Sequence, residues 1–217
     1  MNVLVLGATG KVGRLTVEHA LKNGHQVVAL ARRPESLKSL ADDHGNKLRL
    51  VEGDVTNGPV VRDAMKDTDG IIATFGAPLN WQTLTTVPTV RTDGAVAFLN
   101  AMNHHQIKRI VLLSGIGVGN TLPGGRPIFR YVIRPLLLGR IYRDMARQEE
   151  LLRETTTDWT IVRAAELTDA DSEAAPRIIS EGAGESASFI TRRAVARFLV
   201  ESLVRKDLIK KQFVLSH

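Results

Sequence analysis

Residues Val3 to Gly13 read VLVLGATGKVG. A short β-branched run, Val3-Leu4-Val5-Leu6, leads directly into Gly7-Ala8-Thr9-Gly10-Lys11-Val12-Gly13. A helix-like segment follows at once, with apolar Val12, Leu15, Ala20 and Leu21 along one face. Strand, glycine turn and helix in that order form a dinucleotide site. Gly7 allows the tight turn, Gly10 lets a pyrophosphate approach the backbone, and Gly13 lets helix and strand pack closely. Thr9, Lys11 and Val12 complete the expected loop contacts. The free N–H groups and positive dipole end of the helix then face the phosphates.

The rest of the chain continues the alternation. Strand-like runs are expected at Gln26–Ala31, Leu48–Val51, Gly70–Phe75, Arg109–Ser114, Trp159–Arg163 and Gln212–Leu215. They are apolar on both faces, as in a sheet covered on both sides. Helical patterns lie between them, most clearly at Val61–Lys66, Val90–Asn103, Tyr142–Glu154 and Arg192–Val204. This order predicts an α/β fold, a Rossmann-type doubly wound parallel sheet. All 217 residues are expected to form a single domain, with a substrate-side insertion at about 117–141.

Composition narrows the chemistry. The absence of cysteine excludes disulfides, thiolate catalysis and cysteine-ligated metal. No apolar run reaches the length of a membrane span. A strand leading into the glycine loop is no signal peptide, so the cytoplasm is the expected compartment. The net charge of +6 is read as affinity for anionic small molecules. With aromatics at only 5% and no recognisable motif, nucleic acid is not an expected partner. A monomer or homodimer is expected.

Site residues are expected at strand ends. After the second strand, where an NAD site holds an acidic residue, stand Arg32 and Arg33. Two guanidinium groups there suit a 2′-phosphate, and hence NADP. Asp54 after the third strand either accepts the adenine amino group, with Val55 covering the ring, or caps the following helix. Ala73, Thr74, Phe75 and Gly76 end the fourth strand, where the backbone approaches the ribose and nicotinamide; Phe75 is alternatively core. Ser114 ends the fifth strand. Its hydroxyl either binds a substrate carbonyl or the nicotinamide amide, as a catalytic group, or caps a turn.

Tyr142 begins the next helix, but Ala146 stands four residues on where a lysine would lower the phenol's pKa. Tyr142 is therefore read as packing or contacting substrate. His104 and His105 are read as exposed, without metal-ligand partners, and no metal is expected. Glu166 either faces the site or is solvated.

With GATGKVG at 7–13, Arg32, GDV at 53–55, Ser114, LLRETTTDWTIVRA at 151–164 and FITRRAVARFLVESL at 189–203, the chain resembles an atypical short-chain dehydrogenase/reductase. It is similar to the group of biliverdin-IXβ (flavin) reductases and NmrA-like NADP-binding proteins. The resemblance implies NADPH-dependent hydride transfer to a flavin, a linear tetrapyrrole or a similar planar conjugated small-molecule acceptor, without a Tyr-Lys pair. The alternative is a non-catalytic NADP-binding redox sensor. The family's Pro-Pro after the sixth strand is Ala164-Ala165 here, preceded by Arg163, which joins the expected cofactor contacts. Gly117–Arg140 is longer and more basic than the resemblance leads one to expect. The stretch from Gly125 to Arg147, with Arg126, Arg130, Arg134, Arg140, Arg143 and Arg147 among apolar residues, is read as a mobile lid for an anionic, planar acceptor, or as an ordinary packed helix or a subunit contact.

Overall fold

The computed structural model describes residues 1–76, 88–118, 139–170, 175–180 and 185–217. The glycine loop lies at the centre of the architecture. Strand β1 (Asn2–Leu6) precedes it and helix α1 (Lys11–Lys22) follows. The chain continues through β2 (Gln26–Ala31), α2 (Lys38–His44), β3 (Leu48–Glu52), α3 (Gly58–Met65) and β4 (Gly70–Ala73). Then come α4 (Val90–His105), β5 (Arg109–Gly115), α5 (Gly139–Arg153) and β6 (Asp158–Ala164). Three short strands follow, β7 (Glu166–Thr168), β8 (Arg177–Ser180) and β9 (Phe189–Thr191). Helix α6 (Arg192–Ser202) and strand β10 (Lys211–Ser216) complete the sequence.

Eight strands form one sheet in the order β3-β2-β1-β4-β5-β6-β10-β8. The chain starts in the middle, winds outward to β3, then crosses back to build the other side from β4. The reversal lies between β1 and β4, where open α/β sheets bind ligands. All pairings run parallel except β10 with β8. The sheet is therefore mostly parallel, and the expected wholly parallel sheet gains an antiparallel edge strand. β7 and β9 pair separately as a two-stranded parallel sheet.

Each face of the sheet buries a core. One joins Val3, Val5, Ala29, Ile72 and Val111 to α1 and α6 through Val17, Ala20, Val195 and Leu199. The other joins Leu4, Leu6, Ile71, Ile110, Leu112 and Ile161 to α3, α4 and α5 through Val61, Phe98, Met102 and Leu152. The alternation of residues along β1 supplies both faces, so every position of Val3–Leu6 is fully buried. At about 25 cal/mol per Å² of apolar surface, this two-sided burial is the main stabilising force of the sheet.

The departures from the sequence reading have local causes. Helix α2 buries none of its residues, so it has no apolar stripe to announce it. β7, β8 and β9 are only three or four residues long, and their runs carry little alternation. β4 stops at Ala73 because Thr74 and Phe75 turn away to brace the glycine loop. Among the described residues, no helix is long and apolar enough to cross a membrane.

Candidate functional site

The loop after β1 is built by its backbone. Gly7 has φ +81°, a left-handed conformation natural to glycine. The amides of Gly7 and Ala8 both donate to the Leu30 carbonyl, at 3.1 and 3.2 Å, fastening the loop to the end of β2. The Gly10 amide donates to the Gly7 carbonyl at 3.0 Å. At Gly13 a Cβ would stand 2.1 Å from the Gly7 carbonyl oxygen and 2.8 Å from Thr74 Oγ1, so only glycine lets α1 start this close to the turn. At Gly10 a Cβ would meet only the Gly7 oxygen, at 3.3 Å. Gly10 and Thr9 are exposed, and no side chain caps α1. The first amides of a helix have no partner within it. An uncapped, glycine-lined N-terminus at the switch point leaves amides that can take an anion, as the sequence leads one to expect.

Lys11 and Val12 differ in placement. Lys11 is exposed and meets Asp169 at 3.5 Å, and Asp169 also pairs with Arg192 at 2.6 Å. That bond from Arg192 holds the Asp169 carboxyl below the usual carboxylate range. Val12 turns into the core, so only its backbone reaches the loop surface.

The adenine end is assembled from adjacent strand ends. Ala31 pairs with Glu52, and the Gly53 amide donates to the Ala31 carbonyl at 3.0 Å. Arg32 and Arg33 are exposed beyond β2. Asp54 accepts from the Thr56 amide at 2.9 Å and the Thr56 hydroxyl at 2.8 Å. The amide bond, aided by the Thr56 hydroxyl and the Arg32 charge, lowers the Asp54 carboxyl from its ordinary value. The cap of α3 is Asn57, which accepts from the Val60 amide at 3.4 Å, and not Asp54. Val55 is buried.

At the end of β4, Ala73 is in the core and Thr74 Oγ1 donates to the Leu6 carbonyl at 3.0 Å. Thr74 thus ties β4 to β1. Phe75 belongs to the core, edge-on to Phe98 with ring centroids 6.3 Å apart. Its backbone closes on Gly7, where a Cβ would be 2.8 Å away. Gly76 is exposed, with the Arg91 guanidinium 2.5 Å from where its Cβ would be.

A buried polar network, absent from the sequence reading, lies beyond Gly76. Asp144 on α5 accepts from the Arg91 amide at 3.0 Å, and from the Thr92 amide and hydroxyl at 2.9 and 2.7 Å. It therefore caps α4 from a neighbouring helix. Arg91 Nη1 donates to Gln148 Oε1 at 3.2 Å. Glu149 is fully buried and takes both arms of Arg163, at 3.1 Å from Nε and 2.7 Å from Nη2, with Arg153 at 3.1 Å. Arg163, expected among the cofactor contacts, is drawn instead into the interior by this pair and is 1% exposed. The clue lay in spacing. Met145, Glu149 and Leu152 share a helix face, so Glu149 stands in a buried stripe where an unpaired carboxylate would be costly.

Ser114 stands level with Arg163 on the neighbouring strand. It is 5% exposed, and its Oγ has no hydrogen-bond partner. Tyr142 donates its phenol to the Ile116 carbonyl at 3.0 Å. His105 meets the Arg62 carbonyl at 2.9 Å, and His104 is exposed. Glu166 is exposed. No group of residues suited to a metal occurs among the described residues. Of the basic insertion, residues 119–138 lie outside the described residues.

The carboxyl ends of β1 to β5 thus carry the glycine cradle, Arg32, Arg33, Asp54, Gly76 and Ser114 along one edge of the sheet, which defines a Rossmann-type nucleotide-binding protein. Residues 7–206 match the family model described as NAD(P)H-binding, and the chain belongs to that family. Its relatives include the UPF0659 protein YMR090W of Saccharomyces cerevisiae, 26% identical over 99% of this chain and 92% of the relative. Among solved structures, ChuY of Escherichia coli O157:H7, an anaerobillin reductase, superposes with a TM-score of 0.80 at 24% identity, covering 100% of this chain and 97% of that one. A wide-type short-chain dehydrogenase/reductase from Veillonella parvula in complex with NADP gives 0.80 at 16% identity, covering 100% and 94%. At these identities the superpositions show the fold alone.

Proposed function

We propose that this chain is an NADPH-dependent reductase that passes hydride to a flavin, a linear tetrapyrrole or a similar planar conjugated acceptor. The observation that carries the reading is the state of Tyr142. Its phenol is committed to the Ile116 carbonyl, and Ala146 stands where a relay needs lysine. A dehydrogenase that protonates an alkoxide needs a polarised phenol at that place. A conjugated acceptor spreads the incoming electron pair over its own ring system and takes its proton afterwards from water, so positioning suffices. The name borne by ChuY, on the same fold, supports a reductase of conjugated acceptors.

When bound, NADPH supplies the hydride. The cradle at Gly7–Gly13 would hold its pyrophosphate. Arg32 and Arg33 would favour the 2′-phosphate by charge-assisted bonds, and Asp54 would accept from the adenine amino group. The exposed backbone at Gly76 would approach the ribose and nicotinamide. Ser114, with its hydroxyl buried and unpartnered, would bond a carbonyl of the nicotinamide or of the acceptor. Stopped-flow oxidation of NADPH with flavin mononucleotide, biliverdin and quinones tests the reading. Reduction of at least one conjugated acceptor, with NADPH preferred over NADH, is the expected result. Tight NADPH binding without turnover of any of them would instead identify a redox sensor.

A further inference from the structure

We propose that Arg91 and Gln148 form an oxyanion subsite that holds the carbonyl edge of the acceptor, the edge that gains negative charge as hydride arrives; this inference rests on the reductase reading. Three buried polar atoms motivate it. Arg91 Nε, Gln148 Nε2 and Ser114 Oγ each lack a hydrogen-bond partner among the described residues. Gln148 is 1% exposed and Ser114 5% exposed, so water does not readily satisfy them. A buried donor left unmade costs more than a made bond returns, and such groups call for an explanation in the molecule's chemistry.

Two of these atoms belong to one bonded pair at the end of β4, and the third lies at the end of the next strand, β5. The Arg91 guanidinium lies against exposed Gly76, at the end of β4, and is bonded to Gln148. Glu149, next along α5, holds Arg163, which is level with Ser114 on the adjacent strand. Two of the three atoms are donors only, and the third is a hydroxyl that can donate, so the complementary ligand is an acceptor oxygen.

The surrounding charges agree. Asp144 directs both oxygens at the backbone and hydroxyl of Arg91 and Thr92 rather than at the guanidinium. Glu149 serves Arg163 and Arg153. The Arg91 guanidinium thus has a neutral partner, Gln148, and its positive charge is not cancelled by direct contact. Burial pulls Arg91 below its ordinary value, against the pull of the Asp144 and Glu149 carboxylates. An arginine nevertheless stays charged in proteins.

In the step this would assist, the hydride carries two electrons and a proton from the nicotinamide to the ring of the acceptor. NADPH becomes NADP⁺, and the acceptor becomes an anion with charge on its carbonyl oxygen. Water then protonates that anion. Donors fixed beforehand at the oxygen lower the barrier to such a charge.

The test uses Gln148→Glu, which sets a carboxylate of nearly the same shape on Arg91, and Arg91→Lys, which keeps the charge without the fork. Flavin mononucleotide and riboflavin are titrated into the NADP⁺-loaded protein by flavin fluorescence. Single-turnover NADPH oxidation and NADPH binding are measured in parallel. Gln148→Glu should weaken binding of both flavins, or slow their reduction, by about ten-fold or more. Arg91→Lys should lose less, and NADPH affinity should stay within two-fold for both variants.

If flavin binding and reduction are unchanged in both folded variants, the subsite is refuted. A ten-fold loss of NADPH affinity with the flavin steps intact would assign the oxygen to the cofactor and also overturn it. If the unaltered protein binds flavin and turns over none, the reductase reading falls, and the flavin titration alone decides the subsite. If the unaltered protein binds no flavin and reduces none, both fall. A variant that does not fold, by circular dichroism, is replaced by Gln148→Met, for which weaker flavin reduction is again expected.

Discussion

The glycine cradle and the polar network under α5 occupy the same edge of one sheet and are built by opposite means. The cradle is backbone: its amides, its left-handed Gly7 and the missing Cβ atoms at Gly10 and Gly13 make the site. The network is side chain: Asp144, Gln148 and Glu149 reach from α5 to α4 and β6. A backbone site restricts residue type over seven consecutive positions. A side-chain network restricts residues far apart in sequence, and each alone looks like a surface charge. Destabilising changes should therefore separate the two regions.

The largest effect is expected at Glu149. Glu149→Leu leaves Arg163 charged and buried, a loss of about 3–5 kcal/mol. Tm should fall on the order of 10 °C in a thermal melt. Adding Arg163→Met should restore much of it, and equal melting of the single and double variants would show that the pair is not the source. Within the cradle, Gly13→Ala drives a methyl into the Gly7 carbonyl, costing roughly 1–3 kcal/mol as overpacking, and should lower both Tm and NADPH affinity. Gly10→Val should part those two readouts: the melt moves little, because the position is exposed, while NADPH binding measured by calorimetry is abolished. A normal NADPH isotherm for Gly10→Val would break the view of the cradle as a pyrophosphate site.

Arg32→Ala sharpens the contrast at the adenine end. Loss of a charge-assisted contact of roughly 1.5–3 kcal/mol should weaken NADP about ten-fold or more and barely alter NAD binding. Equal affinity of the unaltered protein for the two cofactors would contradict the 2′-phosphate role. The smallest effect is expected at Tyr142. Tyr142→Phe removes one bond to the Ile116 carbonyl, a net of about 0.5–1.5 kcal/mol, and most turnover should survive. A hundred-fold fall in turnover with cofactor binding intact would mean that the phenol takes part in proton transfer.

The same contrast explains what the sequence made legible. The order of strands and helices followed from two-sided apolar runs, because a strand buried on both faces has few polar alternatives. Gly7 and Gly13 were legible because no other residue meets their geometry, and Gly10 by its spacing between them. The places of Arg32 and Asp54 just beyond β2 and β3 were legible from the strand runs before them. Glu149 was not, because its partner Arg163 is fourteen residues away and its type is ordinary for a helix. Arg91 was hidden for the same reason. Asn57 outcompeted Asp54 as the cap of α3 because Asp54 is already bonded to Thr56. β7, β8 and β9 escaped notice because so short a strand carries almost no pattern.

The capping of α4 by Asp144 gives the crevice a heading. Two long helices, α1 and α4, begin beside the switch point, and each presents a positive dipole end. Only α1 lacks a side-chain cap; at α4 a carboxylate from α5 already fills the place an anion would take. On the proposed reading, a molecule with a doubly charged linker and two different ends would find one berth for the linker. Its ends would then be set by what lies on either side, arginines after β2 and Ser114 at the end of β5. A carboxylate on one helix acts, at a neighbouring helix, as a signpost for which way round the ligand lies.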